Sequence, residues 1–218
     1  MFFAFAFFLF AAALVYLAAI YGGWWWLLVW PAVSFVVVAI AYVFGPGVMG
    51  KREDGRFAWW AKVALLPFRV ITHVTWLFGK TIAAEPVFAE IAPGVWMGRR
   101  ARADELPPGT KTIIDMTSEL GDPREVREHE GYLCVPTLDA AAPDERAFRA
   151  ALERIESSPG PVYIHCAQGH GRAGTMAAAV LIRRGLARDV EDAARQLAQR
   201  RPGTRLNRRQ RNFVAKFS

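Results

Sequence analysis

The distribution of apolar and charged residues divides the chain into two unlike parts. Residues 1–50 contain no Asp, Glu, Lys or Arg, so all 27 basic and 20 acidic side chains follow that segment. A helix needs about 20 consecutive apolar residues to cross a bilayer. The pattern predicts two such spans, Phe2 to Ile20 and Trp24 to Phe44, joined by a turn at Tyr21-Gly22-Gly23. We therefore expect a two-span transmembrane hairpin over residues 1–50.

The charges that follow the hairpin indicate its orientation. Acidic Glu53 and Asp54 are outnumbered by basic Lys51, Arg52, Arg56, Lys62 and Arg69. The positive-inside rule then places this side, and both termini, in the cytoplasm. In that compartment Cys134 and Cys166 are expected as reduced thiols. A cleaved signal peptide is the alternative, but the apolar stretch is too long for one and no basic segment precedes it.

Residues 51–85 form a juxtamembrane segment with two interpretations. Phe57 to Phe78 is apolar and rich in tryptophan, but Lys62, Pro67 and Arg69 interrupt it. Such interruptions are costly in a bilayer, so we expect an interfacial helix whose basic side chains face lipid headgroups. The alternative is a third span, which would move the rest of the chain across the membrane.

Residues 86–218 have the composition of a soluble α/β domain, in which short apolar runs alternate with amphipathic stretches. The predicted strands are Gly94 to Gly98, Thr112 to Met116, Tyr132 to Val135 and Val162 to His165. The predicted helices are Pro123 to Glu130, Asp144 to Ser157, Thr175 to Arg184 and Val190 to Arg200. Alternating strands and helices predict a mainly parallel central sheet flanked by helices.

The strongest chemical signal is the segment His165-Cys166-Ala167-Gln168-Gly169-His170-Gly171-Arg172. It joins a predicted strand to an apolar helix, and a loop at a helix N-terminus directs backbone N–H groups at one point. Glycines let such a loop curl around an anion, and an arginine fork holds two phosphate oxygens. The same positive field favours the nucleophilic thiolate of a cysteine.

This segment resembles the His-Cys-x5-Arg signature of the protein tyrosine phosphatase superfamily, and in particular its dual-specificity branch. The resemblance extends over about residues 90–217 and includes Val135-Pro136-Thr137-Leu138-Asp139, which resembles the general-acid stretch of the branch. Gly94 to Gly98 resembles its first strand. Arg201-Pro202, with Asn207, Gln210 and Phe213 after it, resembles its last helix.

The resemblance implies a covalent mechanism. Cys166 would attack phosphorus, Arg172 and the loop amides of residues 167–171 would bind the phosphoryl group, and Asp139 would protonate the leaving oxygen. His165 is expected to orient the loop. No metal or cofactor is expected, because the loop and the arginine supply positive charge. The family usually has Ser or Thr after the arginine, where this chain has Ala173, so we expect slow hydrolysis of the phosphoenzyme.

Several assignments have competitors. Asp144 competes with Asp139 for the acid role, although Pro143-Asp144-Glu145 resembles a helix start. Cys134 is expected in the core, but it would be a redox partner of Cys166 if their strands were adjacent. His170 either adds positive charge toward a polyanionic substrate or has no ligand role. A rhodanese-like sulfur transferase is disfavoured, because its active loop is normally shorter.

The expected substrates are phosphotyrosine or phosphoserine/threonine proteins. The alternatives are a phospholipid headgroup, such as phosphatidylglycerophosphate or a phosphoinositide, and an inactive phosphate-binding module. Residues 193–218 carry eight basic side chains and no acidic one, a pattern that fits either a solvated surface or contact with anionic lipid. No nucleic-acid partner is expected, because a membrane anchor separates the protein from most of them.

Overall fold

The computed structural model describes residues 2–82 and 85–217. Its N-terminal part is an antiparallel helical hairpin of α1 (Phe2–Tyr21) and α2 (Val29–Phe44), joined by a 3₁₀ segment at Gly23–Leu28. Gly22 and Gly23 both have positive φ angles, of 62° and 52°, which a glycine adopts at little cost. Among the described residues, two helices are long and apolar enough to cross a membrane, Phe2–Tyr21 and Gly23–Phe44.

The juxtamembrane segment forms two helices, α3 (Trp59–Ala64) and α4 (Leu66–Ile82), where the sequence predicted one. They break at Leu65, and the break packs against α2. The indole Nε1–H of Trp30 donates to the carbonyl of Val63 at 3.0 Å, and the hydroxyl of Ser34 donates to the carbonyl of Ala64. These bonds satisfy backbone acceptors that the break would otherwise leave unpaired in an apolar setting.

Both ends of this helix pair attach to the same α/β body. Before α3, the backbone carbonyl of Glu53 accepts a hydrogen bond from the amide of Cys134 at 2.8 Å. After α4, Glu85 accepts one from the amide of Gly203 at 3.0 Å. Both ends of the helix pair are therefore held by one domain.

The α4 helix presents an apolar stripe to its surroundings and a second face to the protein. Leu66, Val70, Val74 and Phe78 are exposed at four-residue spacing, whereas Trp76 is buried. Two basic side chains of α4 contact the protein. Arg69 stacks its guanidinium 4.0 Å from the ring centroid of Phe57, and Lys80 pairs with Glu105 at 3.5 Å.

The α/β body contains a five-stranded sheet in the order β1-β2-β5-β3-β4. The strands are β1 (Phe88–Ala92), β2 (Val95–Arg99), β3 (Thr112–Asp115), β4 (Tyr132–Cys134) and β5 (Val162–Cys166). Every neighbouring pair is parallel except β1 with β2. The mainly parallel sheet confirms the predicted fold class. β1 was not predicted. This short edge strand does not alternate buried and exposed residues: Ile91 and Ala92 are buried, and the three residues before them are not.

The helices of this body are α5 (Arg124–Arg127), α6 (Glu145–Glu156), α7 (Gly171–Arg183), α8 (Val190–Arg200) and α9 (Arg208–Val214). α7 is buried along almost its whole length and lies at the centre of the main core. It begins four residues before its predicted start at Thr175, and α5 is only one turn of the predicted Pro123–Glu130 helix. Cys166 ends β5, a central strand, where a ligand at the carboxyl edge of a parallel sheet would bind.

Candidate active site

The segment between β5 and α7 forms a tight loop with Cys166 at its start. Gly169 has a φ of 74°, and a Cβ there would lie 2.2 Å from the carbonyl carbon of Gly98. Gly169 is therefore required by the neighbouring strand as well as by its own backbone conformation. A Cβ at Gly171 would meet the side-chain amide of Gln210 at 3.2 Å, which is a milder restriction.

The loop's carbonyl groups are bound from outside. Arg201 donates from Nε to the carbonyl of Gly169 at 2.9 Å and from Nη2 to that of Gln168 at 3.0 Å. The indole of Trp76, on α4, donates to the carbonyl of Ala167 at 2.9 Å. In a trans peptide the carbonyl and the following N–H point in opposite directions. Outward carbonyls therefore turn the next N–H groups toward the inside of the loop, where they can bind an anion.

Arg172 is buried and held by Glu119. Its Nη1 and Nη2 lie 2.8 Å from the two carboxylate oxygens of Glu119, and Nη1 also donates to the carbonyl of Thr137 at 3.0 Å. Burial by itself lowers the pKa of Arg172, but the attraction of Glu119 outweighs it and raises the pKa. Burial likewise opposes the charge of Glu119, but Arg172 lowers the pKa of that carboxyl.

This pairing leaves one edge of the guanidinium for a ligand. The Nε–H group of Arg172 makes no hydrogen bond among the described residues. The second N–H of Nη2 lies along the same edge of the planar group. An arginine edge with two parallel N–H groups matches two oxygens of a phosphate.

Asp139 lies at this edge on an exposed turn. Its Oδ1 is 3.5 Å from Nε of Arg172, and its side chain is 77% exposed. The turn is fixed by its backbone, because the hydroxyl of Tyr42 on α2 donates to the carbonyl of Asp139 at 3.2 Å. Asn207 donates to the carbonyl of the next residue, Ala140, at 2.9 Å.

The competing acid, Asp144, has a structural role. Its Oδ1 accepts a hydrogen bond from the amide of Ala147 at 2.9 Å, which makes it the N-cap of α6. This agrees with the helix start predicted for the segment. Of the two candidate acids, Asp139 is the one that lies beside Arg172.

His170 and Cys134 both lie close to the loop in sequence or in predicted role, and the structure gives each a defined environment. His170 Nε2 lies 2.7 Å from Glu85, so an acidic partner compensates any charge on that ring. Cys134 is buried on β4, and β3 lies between β4 and β5. The condition for a redox pair with Cys166, adjacent strands, is therefore not met. Burial raises the pKa of the Cys134 thiol, as expected of a core cysteine.

Behind the loop lies a buried polar network. His165 Nε2 is 3.2 Å from Asp122, and Lys51 Nζ is 2.6 Å from Asp115. Burial opposes protonation of His165, but Asp122 outweighs it and raises the pKa of the imidazole. Asp115, Asp122 and His165 bring ligand atoms within 4.8 Å of one another, as in a metal site. Both carboxylates already have a cationic partner, because Lys51 pairs with Asp115 and Arg100 Nε lies 3.4 Å from Asp122, which makes a further cation there unfavourable.

Sequence reasoning missed several residues that shape the site. Glu119 had a usable signal, because it follows β3 and the carboxyl ends of parallel β3 and β5 meet at one edge of the sheet. Tyr42, Trp76 and Lys51 had none. Their distance along the sequence gives no indication that Tyr42 contacts the acid turn, Trp76 the loop, and Lys51 the buried network behind it.

A cavity of about 510 Å³ lies above Cys166. It is lined by Cys166, Arg172 and Asp139 and by the loop residues Ala167, Gln168, His170 and Gly171. The remaining walls include side chains of the N-terminal hairpin and of α4, such as Phe7, Tyr42 and Phe68. The candidate site therefore joins an anion cradle to an apolar wall that the membrane-proximal helices supply.

The α/β body is similar to solved phosphatase structures. The human tyrosine phosphatase-like serine/threonine/tyrosine-interacting protein aligns with a TM-score of 0.53 and 20% identity, over 61% of this chain and 96% of that one. PTPMT1 in complex with PI(5)P aligns with a TM-score of 0.51 and 20% identity, over 60% of this chain and 94% of that one. Tk-PTP in its active form aligns with a TM-score of 0.50 and 26% identity, over 61% and 96% of the two chains.

No curated protein sequence matches the chain significantly. A family model, described as the phosphatase domain of dual-specificity and protein tyrosine phosphatase type of the Swiss Army Knife proteins, matches residues 99–216, more than half of the chain. The match spans the loop, Arg172, Glu119 and Asp139. The chain belongs to this Swiss Army Knife family of dual-specificity phosphatase domains.

Proposed function

We propose that the protein is a membrane-anchored, cysteine-dependent phosphatase that hydrolyses phosphomonoesters through a cysteinyl-phosphate intermediate. The observation that carries this proposal is one cavity lined by Cys166, Arg172 and Asp139, in which Nε of Arg172 makes no hydrogen bond among the described residues and the loop's outward carbonyls are bound by Arg201 and Trp76. That arrangement suits a dianionic phosphate next to Cys166.

The first chemical step is displacement at phosphorus. The thiolate of Cys166 forms a bond to phosphorus while the bond to the ester oxygen breaks. Asp139, in its protonated form, transfers a proton to the departing oxygen. Arg172 and the inward N–H groups of the loop stabilise the charge on the transferring phosphoryl oxygens.

The second step regenerates the thiolate. Asp139, now a carboxylate, accepts a proton from water, which attacks phosphorus as the S–P bond breaks and inorganic phosphate forms. Ala173 supplies no hydroxyl for this step. The Thr175 hydroxyl donates to the carbonyl of Gly171 at 2.8 Å within its own helix, so it is committed to the backbone.

Phosphoproteins and phospholipids both carry phosphomonoesters that this chemistry accepts. We place the catalytic body on the cytoplasmic side, because the basic residues of the juxtamembrane segment follow the second span. Both substrate classes are available at that surface.

The test is turnover of an aryl phosphate by the full-length protein in detergent. We expect Cys166→Ser to abolish release of inorganic phosphate, and Cys134→Ala, at the buried cysteine of β4, to retain it. Full activity of Cys166→Ser would disprove the mechanism. A folded wild-type protein that binds vanadate but turns over no aryl phosphate would instead be an inactive phosphate-binding module.

A further inference from the structure

The cavity above Cys166 is bounded by the membrane-proximal helices as well as by the catalytic body. Phe3 and Phe7 of α1, Val38 and Tyr42 of α2, and Phe68 of α4 all line it. A tether that only held the domain near a membrane would not need to form a wall of the substrate cavity. The hairpin is therefore part of the binding site.

The wall is an aromatic cluster in direct contact with the acid turn. Tyr42 stacks between Phe3 and Phe7, with ring centroids 5.2 and 5.9 Å apart. Phe7 meets the ring of Phe68 edge-on at 5.8 Å. Below this cluster, Leu138 packs into the same apolar core as Val38, so the residue before Asp139 is anchored on the hairpin.

The wall lies at the open end of the hairpin. Phe3 is one residue from the start of α1, and Tyr42 is two residues from the end of α2. At about 1.5 Å of rise per residue, Phe7 lies only about 8 Å from the end of its helix. If the hairpin spans a bilayer, the cavity opens near the boundary between headgroups and acyl chains.

We infer that the substrate is a membrane lipid with a terminal phosphomonoester. This inference rests on the proposed function and specifies its substrate class. The phosphate binds to the loop and Arg172, while the adjoining acyl chain lies against Phe3, Phe7 and Phe68. The positive charge of Arg172 and the loop amides favours the phosphate end of the lipid. Removal of the acyl chain from water stabilises the binding of the apolar end. A phosphopeptide carries no comparable apolar chain beside its phosphate.

The outer face of α4 supports the same orientation. Its exposed stripe of Leu66, Val70, Val74 and Phe78 is apolar, like the exposed aromatic and aliphatic side chains of the hairpin. Thr72 and Thr75, between these positions, line the cavity. One helix thus has an apolar face suited to lipid and a face in the cavity, which provides a path for a lipid to enter without leaving the membrane.

The experiment uses the full-length protein in mixed detergent micelles. Phosphate release is measured from glycerol 3-phosphate, dihexanoyl phosphatidic acid, dioleoyl phosphatidic acid, a phosphotyrosine peptide and an aryl phosphate. We expect kcat/KM to rise at least tenfold from glycerol 3-phosphate to the dioleoyl lipid and to exceed that of the peptide. The rate on the lipid should also fall when detergent dilutes the lipid within the micelle surface.

The variants test the wall itself. Phe7→Ala should lower kcat/KM for the dioleoyl lipid about tenfold more than for the aryl phosphate, because it removes apolar contact with the chain. Phe8→Ala is the matched control, since Phe8 is exposed and lines a separate surface groove between α1 and α2 rather than this cavity. It should leave both activities unchanged. Phe3→Ala, nearer the helix end, provides a second variant if Phe7→Ala lowers the melting temperature.

Three results would overturn the inference. These are equal or better turnover of the peptide than of the lipid, no dependence on chain length, or equal losses on lipid and aryl phosphate in both wall variants. Any of them with the aryl phosphate still hydrolysed would leave the cysteine phosphatase mechanism intact. If the folded wild-type protein does not hydrolyse the aryl phosphate at all, the proposed function is refuted instead.

Discussion

Lys51 offers the sharpest test of how the anchor is joined to the catalytic body. Its ammonium lies 2.6 Å from Asp115, with both side chains fully buried, and it donates to the carbonyl and the hydroxyl of Thr117 at 2.9 Å each. Replacement by methionine would leave the carboxylate of Asp115 buried without a counter-charge. Breaking a buried ion pair in this way costs about 3–5 kcal/mol. For a chain of this size that corresponds to a fall in melting temperature of roughly 10 °C.

The assay is thermal unfolding of the full-length protein in detergent, for Lys51→Met, Asp115→Asn and the double variant. We expect the loss of unfolding free energy in the double variant to be at least about 2 kcal/mol smaller than the sum of the two single losses, because the double variant removes both charges together. Lys62→Met, at an exposed lysine of α3, is the control and should change stability by less than about 0.5 kcal/mol. A small effect of Lys51→Met, or additive single effects, would refute the reasoning.

The pH dependence of this pair has a definite sign. Burial by itself lowers the pKa of Lys51 and raises that of Asp115, but the attraction between the two charges reverses both shifts. The contribution of Lys51, whose folded pKa is raised, is complete below about pH 10.4 and is lost as pH rises through the folded value. The contribution of Asp115, whose pKa is lowered, is present above about pH 3.9 and is lost as pH falls through the folded value. Between about pH 5 and about pH 9 the stability difference between the wild type and Lys51→Met should therefore change only through His165, because loss of the Lys51 ammonium raises the pKa of that buried imidazole further.

Two further predictions concern the chemical steps. Asp139→Asn should lower kcat/KM, which reports the first displacement, by about 10²–10⁴-fold on an alkyl phosphate and by much less on an aryl phosphate with an acidic leaving group, since only the former needs a proton as its bond breaks. Equal losses of kcat/KM on both substrates would argue against the acid role. With Ala173 in place, rapid-quench measurements on the aryl phosphate should show a burst of phosphoenzyme. Ala173→Ser should shrink that burst by speeding hydrolysis of the intermediate about tenfold, roughly the effect of one hydrogen bond to a charged group; a wild-type reaction without a burst would contradict the expectation.

The sequence by itself determined the features that depend on local pattern. The absence of charge before Lys51 and two apolar runs were sufficient to predict α1 and α2, because a helix that meets lipid must be apolar along its length. Alternating strand and helix patterns were sufficient for the parallel sheet. The spacing from Cys166 to Arg172 was sufficient for the loop, since a strand, a glycine-containing turn and a helix N-terminus are adjacent in sequence.

Boundaries and short elements were less predictable. β1 lies at the sheet edge and has no clean alternation, so its pairing with β2 is what makes it a strand. α7 starts at Gly171, directly after the loop, rather than at Thr175. The sequence placed the start later because Gly171 and Gly174 have low helix propensity. The sequence predicted an interruption near Pro67, and the structure has a break at Leu65. Trp30 and Ser34 of α2 donate hydrogen bonds to the backbone carbonyls at this break.

Only the tertiary structure decided which distant residues complete the site. Glu119, Arg201 and Trp76 fix the loop and its arginine through hydrogen bonds that depend on the packing of separate elements. Lys51 pairs with Asp115, 64 positions away, because burial makes an unpaired carboxylate too costly. Tyr42 reaches the acid turn from the second apolar helix, so a segment that the sequence presented as an anchor became a wall of the cavity above Cys166.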